Sequence, residues 1–538
     1  MTKSRDEQVF ELYEQLLEIE QRLIPTGLHV FGRPSSATER ADLLKMIASF
    51  DRPESGVRAL PEEFIDDAIR VFQEHGSDAA VAYLQERGFE AGSVFRLLET
   101  VSTKLETNNE MDALVRALRG EFIEPGPGAD IVQNPDILPT GRNTHAINPY
   151  GVPSAVAFAR GKIVAASLLH RYKEENGRYP EAMALVLWGL DNIKTQGEGV
   201  AQALWLLGVR PVRDALNRAT NVEAIPLEEL GRPRVDVVMT VSGIFRDLFS
   251  PTVHLLDKAV RLVAHLDEPL DQNYVRKHVV EQMAHADCDA DEAAIRVFSN
   301  APGNYGTNVN FMVMDSQWER EETLGDLFVT RKCFAYGRDS KGRTIEGREA
   351  RIAMDRALSR VEATYQNIDT FEIGLTDVDH YFEYLGGVSK AVEKRAQARP
   401  SIYLSDSLSR EVKIRSLEET VRLETRAKTL NPKWYEGMLK HGFRGVAEIE
   451  NHVSNTFGWS ATADAVDDWI YSEVANTFVF DESMLERLKE LNPHSAHSLV
   501  RRLLEANGRG YWETDQSVLE KLQEIMRDLE DQLEGVAQ

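Results

Sequence analysis

The sequence predicts a mixed α/β, multidomain protein in which a central parallel-sheet α/β region is flanked by helical domains. Three observations predict it. The first 120 residues place apolar side chains at helical spacing between turn signals. From about residue 150, short apolar runs such as MALVLWG and VDVVMTVSG alternate with amphipathic helical patterns, the texture of a sheet covered on both faces. From residue 401 onward, helical patterns return. At 538 residues the chain is too long for one hydrophobic core, and length alone predicts roughly three to four domains.

Taken in order, DEQVFELYEQLLEIEQRL, ADLLKMIASF, EEFIDDAIRVFQEHG and VFRLLETVSTKLETNNEMDALVRALRG read as helices and make residues 1–123 a helical domain. EPGPGAD is dense in Pro and Gly and marks residues 124–137 as a linker. Residues 138–287 read as the α/β domain with a parallel sheet. Its elements are SAVAFARGKIVAASLLHRYKEENG as a helix, MALVLWG as a strand, GEGVAQALWLLG as a helix, VRPV and VDVVMTVSG as strands, and TVHLLDKAVRLVAHL as a helix. Residues 288–400 are mixed α/β and border the expected cavity, and residues 401–538 form a mainly helical C-terminal domain. No repeat of fixed period is present.

A formal net charge of −25 repels a polyanion over most of the surface, so no nucleic-acid partner is expected. No apolar run approaches 18 residues, so no integral membrane segment is expected. The N-terminus turns acidic and helical at once, without the apolar core of a secretory signal, and the expected location is cytoplasmic. Two cysteines far apart, Cys288 and Cys333, indicate neither a disulfide framework nor a thiolate zinc site.

Ligands of open α/β sheets sit beyond the carboxyl ends of the strands. Two polar clusters lie there: Asp191 to Glu198 after MALVLWG, and Arg246 with Asp247 after VDVVMTVSG. Two readings stand at this point, functional groups at a site, or a helix cap at Asp191 or Asn192 with a surface ion pair at Arg246. GLDNIKTQGEG matches neither a dinucleotide fingerprint nor a phosphate-binding loop, and no HExxH, GxSxG or papain-type signature occurs. VFSNAPGNYGTNVN is a Gly- and Asn-rich loop able to turn backbone N–H groups on a ligand. LTDVDHYFEYLGG carries Asp377, Asp379, His380 and Glu383 among aromatic rings. If it is helical throughout, Asp377, His380 and Tyr384 share one face and Asp379 and Glu383 another, so a base and a hard-cation ligand point the same way. The same residues also suit a helix start.

Longer segments carry a resemblance. LPTGRNTHAINP, LVLWGLDNIKTQGE, EELGRPRVDVVMTVSGIFRDLF, RVFSNAPGNYGTNVN, LTDVDHYF, ETVRLETRAKTLNPKWYEGML and GWSATADAVDDWIYSEV resemble the large porphyrin-binding H subunit of magnesium chelatase, from residue 22 to the C-terminus. The large subunit of aerobic cobaltochelatase shares the framework, and the INP and LWGLDNIKT segments are more similar to the magnesium enzyme. The resemblance implies ATP-dependent insertion of Mg²⁺ into protoporphyrin IX in chlorophyll or bacteriochlorophyll biosynthesis. In it Mg²⁺ is a substrate, ATP is hydrolysed on separate AAA+-type I and D subunits, and no cofactor is tightly bound; in a plant-type organism the location becomes the plastid stroma. The roles it implies are Asp377, His380 and Glu198 as catalytic, with Asp377 and Asp379 toward the metal. Arg142, His145, Asp191 and Arg246 are then substrate-binding, the arginines suited to propionates. This chain corresponds to the C-terminal part of the H subunit. The resulting expectations are a separate polypeptide supplying the N-terminal half, a piece of a longer chain, or a porphyrin-binding carrier or sensor that does not chelate; cobaltochelatase is the further alternative.

Overall fold

The computed structural model describes residues 29–49, 52, 56–127, 131–132, 135–145, 148–285, 288–370, 373–406 and 412–536, so the helix expected over DEQVFELYEQLLEIEQRL lies outside the described residues. The chain divides into two compact units, the first running through residue 147 and the second comprising almost all of the remainder.

In the first unit, helices Ala37–Ala48, Glu62–His75, Ser77–Gln85, Gly92–Glu106 and Glu110–Leu118 follow one another. Ser36 starts the first of them through a capping box with Glu39. Leu44, Ile47, Ile69, Phe72, Leu84, Phe95, Leu98 and Val101 close the core of this bundle. The expected linker is not structureless: strand β1 (Pro125–Pro127) pairs in parallel with β2 (Asn143–His145). The Pro and Gly of this stretch sit on an edge strand, where a missing N–H is tolerated.

The second unit is built on β3 (Ala182–Leu187), β4 (Val209–Arg213), β5 (Ala219–Ala224), β6 (Asp236–Val241), β7 (Val297–Ser299), β8 (Phe334–Arg338), β9 (Thr344–Glu349), β10 (Ala363–Ile368), β11 (Ser401–Asp406) and β12 (Lys413–Ser416). Eight of these form one sheet in the order β12-β11-β10-β3-β6-β7-β8-β9. The five strands from β11 to β7 are parallel, and β12, β8 and β9 join antiparallel at the edges. The sheet is therefore mixed, and it continues through both residue 287 and residue 400, where the sequence suggested domain boundaries. VRPV is not one of its strands: among the described residues, β4 pairs with β5 in a separate two-stranded ribbon.

Every residue of β3 and β6 is buried, as expected of strands covered on both faces. Helix Ala155–Asn176, capped by Ser154, lies against helix Glu198–Leu206. Their close approach depends on Gly161, where a Cβ would stand 2.7 Å from Ala201 Cβ and 2.9 Å from the Glu198 carbonyl oxygen. Behind β11, the helices from Leu417–Glu424 to Gln516–Glu534 enclose Trp434, Trp459 and Trp512. Among the described residues, no helix is long and apolar enough to cross a membrane.

Candidate active site at the carboxyl ends of the parallel strands

From β3 the sheet grows outward through β6 and β7, and the chain then returns to place β10 on the other side of β3. This reversal is the topological switch point at which open α/β sheets bind ligands. Strands β3 and β6 stay paired over six residues, whereas β3 and β10 pair only from Met183↔Ala363 to Leu185↔Tyr365 and part beyond them. The rule places the candidate crevice between the ends of these two strands and the segment that continues from each.

After β3 comes Trp188, then helix Gly189–Lys194. Thr195 and Asn192, not Asp191, do the capping work here: the Glu198 N–H donates to Thr195 Oγ1 at 3.1 Å and the Val200 N–H to Asn192 Oδ1 at 3.3 Å. The Asp191 carboxylate is thereby left for the crevice. Asn367 Nδ2 donates to Asp191 Oδ2 at 3.1 Å, and Gln202 Nε2 donates to Asn367 Oδ1 at 3.0 Å. On the next residue but one, Asp369 accepts from Lys194 Nζ at 3.1 Å and from the Tyr381 hydroxyl at 3.1 Å. Glu198 is buried and paired with Arg160 Nε at 3.2 Å. Burial, with the charges of Asp369 and Glu198 beside it, pushes the Asp191 carboxyl well above the usual range. A carboxyl whose charge is disfavoured in this way is a candidate functional group.

LTDVDHYFEYLGG borders this crevice, though not as one helix. Leu375 to Asp377 form a turn, the helix starts at Asp379, and Phe382–Gly386 is a π-helical turn. The ring of Tyr384 stands 4.5 Å from that of Trp188, and that of Tyr381 5.8 Å from it. Because Asp377 precedes the helix, it does not share a face with His380. Instead it pairs with Lys428 and with His452 Nε2 at 3.1 Å, and accepts from the Gly374 N–H at 2.6 Å. Burial opposes its charge, but Lys428 and His452 hold the carboxyl below the usual range. Asp379 accepts instead from Asn310 Nδ2 at 2.6 Å, so the two aspartates expected to meet a metal have separate partners. No group of three or more His, Cys, Asp or Glu is placed to hold a metal ion among the described residues.

His380 finds its partner one turn on, with Nδ1 2.7 Å from Glu383 Oε2. The Glu383 side chain is 1% exposed, whereas that of His380 is 60% exposed. Its hydrogen bond to Glu383 raises the imidazole's affinity for a proton. Such a dyad fixes the ring, turns Nε2 away from Glu383, and makes a base.

Arg246 is spent otherwise than as a propionate fork. Nε and Nη2 grip Asp247 at 2.6 and 3.0 Å, while Nη1 donates to the carbonyls of Asn300, Ala301 and Asn304. It staples the Gly- and Asn-rich loop to the end of β6. Buried Lys332 completes that join by donating to the carbonyl of Val241 at 2.7 Å and to Asn300 Oδ1 at 3.1 Å, and burial pushes its ammonium well below its usual range. Arg142 and His145 belong to the first unit. Arg142 donates to the Leu138 carbonyl at 3.4 Å; the backbone of His145 ends β2, and its side chain lies outside the described residues.

Sequence reasoning missed Asn367, Asp369 and Gln202. The available signal was the end of ATYQNID, a run of polar residues closing a strand. It also missed Glu424, which accepts from the Thr376 N–H at 3.1 Å and lies against Gly374, where a Cβ would come within 2.2 Å of Oε1. Gly374→Ala is therefore expected to destabilise by about 1–2 kcal/mol, measured by chemical denaturation, because moving the buried carboxylate aside costs its bonds to the Thr376 N–H and hydroxyl.

A family model described as CobN/Magnesium Chelatase matches residues 1–519. The chain belongs to this family. It is 44% identical to the magnesium-chelatase subunit ChlH, chloroplastic, of Oryza sativa subsp. indica, over 99% of this chain and 43% of that protein. It is 42% identical to the magnesium-chelatase H subunit of Rhodobacter capsulatus, over 98% of this chain and 40% of that protein. Among solved structures, the catalytic subunit of cobaltochelatase from Mycobacterium tuberculosis superposes with a TM-score of 0.92 at 33% identity, covering 98% of this chain and 47% of that one. The chain thus spans less than half the length of these chelatase relatives.

Proposed function

We propose that this chain is the porphyrin-binding, metal-inserting portion of an ATP-dependent magnesium chelatase, acting on protoporphyrin IX in chlorophyll or bacteriochlorophyll biosynthesis. The observation that carries the reading is the switch point, where buried carboxylates and amides gather and Asp369 accepts from Tyr381, the residue after the exposed histidine of the His380–Glu383 base. Metal insertion needs such a set: the macrocycle loses two pyrrole protons, and Mg²⁺ sheds tightly held water onto oxygen ligands. His380 is the proton acceptor, and Asp191 supplies carboxylate oxygen toward the metal.

A flat apolar ligand also needs an apolar face, and one gathers at the same strand ends. Leu190, Ile244 and Tyr305 are 57%, 45% and 54% exposed. Ile244 packs onto Gly189, and the Tyr305 ring covers Gly243, where a Cβ would stand 2.3 Å from the ring. Exposed apolar side chains gathered in this way mark a binding surface. Tyr305→Ala is expected to weaken protoporphyrin IX binding about ten-fold, read by quenching of protein fluorescence.

ATP hydrolysis falls to separate I and D subunits, in keeping with the lack of a phosphate-binding loop motif in this sequence. The test is Mg-porphyrin emission from the chain with protoporphyrin IX, Mg²⁺ and ATP, with and without those subunits, and with a polypeptide covering the remaining length of the relatives. Product that needs every component supports the reading. Porphyrin quenching without product under all combinations would leave a carrier or sensor. The likeness to a cobaltochelatase structure favours one second reading, cobalt insertion into a corrin precursor, which the same assay with Co²⁺ and that macrocycle distinguishes.

A further inference from the structure

We propose that the exposed apolar face of helix Glu110–Leu118 is the docking surface for this chain's own N-terminal segment, DEQVFELYEQLLEIEQRL, laid against it as an antiparallel helix. That contact lies within the first unit and stands apart from the chelatase reading.

Helix Glu110–Leu118 is unlike its neighbours in the bundle. Its sequence EMDALVRAL is amphipathic, yet the residue it buries is Glu110 and none of its apolar side chains. Met111, Leu114, Val115 and Leu118 are 49%, 43%, 39% and 79% exposed, and Phe122, just past the helix, is 75% exposed. A helix of 9 residues has little stability of its own in water and depends on packing of its apolar stripe. Apolar side chains exposed together along one helix mark a contact surface.

The occupant is identified by where the chain arrives. The Gly32 N–H donates to Glu110 Oε2 at 2.7 Å, and His29 Nε2 lies 3.1 Å from Glu110 Oε1. Gly32 approaches the helix so closely that a Cβ there would stand 2.5 Å from Met111 Cγ. Residues 29–32 thus cross the first turn of the helix, and the segment that precedes His29 sets out from that point. It lies outside the described residues, and its sequence supplies what the face lacks. Pro25-Thr-Gly27 is a turn signal that can send the chain back along the helix. Before it, Leu12, Leu16, Ile19 and Leu23 recur at the same alternating spacing of four and three residues as Met111, Val115, Leu118 and Phe122. Laid antiparallel, the two stripes meet in one register: Leu23 on Met111, Ile19 on Val115, Leu16 on Leu118 and Leu12 on Phe122, the layering of a two-helix seam. A slip of one residue in either direction brings Glu18 or Glu20 onto Val115. The short tether also favours this occupant over a second copy, because it sets a local concentration of about millimolar. Strand β1 begins at Pro125, directly after this stretch, so the docked segment braces the β1–β2 pair as well as the helix.

The test uses the full chain with Cys288→Ser and Cys333→Ala, carrying either Leu16→Cys with Leu118→Cys, which oppose each other in this register, or Glu14→Cys with Leu118→Cys, in which Glu14 lies on the outer face. Mild oxidation at micromolar protein is expected to cross-link the first pair within one chain and to leave the second pair open, read on a non-reducing gel. A second measurement keeps both cysteines: in the otherwise unaltered chain, Leu16→Glu with Leu23→Glu should speed hydrogen exchange at the amides of residues 114–118 more than about ten-fold. Thermal transitions are recorded for every variant, and if the cysteine-free background does not fold, exchange alone decides. Cross-links formed only between chains overturn the proposal and make the face a dimer contact. Exchange at residues 114–118 unchanged by the two glutamates also overturns it, and leaves the face for a different polypeptide.

Discussion

Replacing Asp236 by alanine is expected to destabilise the second unit by about 3–5 kcal/mol, the cost of leaving a buried guanidinium without its partner. Asp236 opens β6 and Arg296 immediately precedes β7, so the pair ties the amino ends of two neighbouring strands. Arg296 Nε and Nη2 each reach the carboxylate at 2.9 Å, and His278 Nδ1 lies 2.8 Å from Oδ2. Arg296 is 1% exposed, and its Nη1 is already spent on the carbonyls of Ala293 and Ile295. The exchange would be seen as a lowered denaturant midpoint. The double substitution Asp236→Leu with Arg296→Met should recover much of the loss, because it removes both charges. Burial opposes the charge on Asp236, but Arg296 and His278 outweigh it and hold the carboxyl below its usual range. A depressed native pKa gives stability that is full above the unfolded value of about 3.9 and is lost as pH falls through the native one. Acid titration of the wild type should show that loss, and the double variant should lack it.

The parts of the site that were legible in the sequence are those where burial and chemistry use different residues. In β3 and β6 the buried run is wholly apolar and the polar groups come after it, so MALVLWG and VDVVMTVSG announced both the strands and the positions of Asp191 and Arg246. In β10 the two requirements coincide. ATYQNI is buried throughout although half of it is polar, because Thr364, Gln366 and Asn367 each find a partner across the sheet or from a facing helix or loop. No apolar run marks such a strand, and the carboxyl end that completes the crevice was invisible. The partners of Asp377 were illegible for another reason: Lys428 and His452 lie more than fifty residues away, and a π-helical turn at Thr425–Thr429 sets the direction of Lys428. A turn with an extra residue shifts every later side chain around the helix, which periodicity cannot register. The LTDVDHYF segment meets the strand ends through Tyr381, which donates to Asp369, whereas Asp377 and His380 do not share a face and turn to separate partners.

The Glu383→Ala exchange is expected to cost about 3 kcal/mol and to release the Gly- and Asn-rich loop, since one buried carboxylate satisfies several donors at once. Its Oε1 accepts from the Thr307 N–H, from Thr307 Oγ1 at 3.0 Å and from the Asn308 N–H at 2.9 Å, while Oε2 meets His380. Thr307 is fully buried, so its donors have no water to turn to. The local signature is faster hydrogen exchange at the Thr307 and Asn308 amides, beyond what the global loss of stability explains. Unchanged exchange at both would refute the role given to Glu383. Arg246 still grips residues 300–304 from the other side, so the loop should loosen at its far end alone. The pH dependence has a definite sign. Glu383 raises the pKa of His380, and a raised native pKa gives stability that is full below the unfolded value of about 6.5 and is lost as pH rises through the native one. The wild-type loop should therefore loosen on the alkaline side, over the same range in which His380 gives up its proton. Removing Glu383 abolishes that dependence and makes His380 a weaker base, so in the proposed reaction anchoring of the loop and acceptance of the pyrrole proton are expected to fail together.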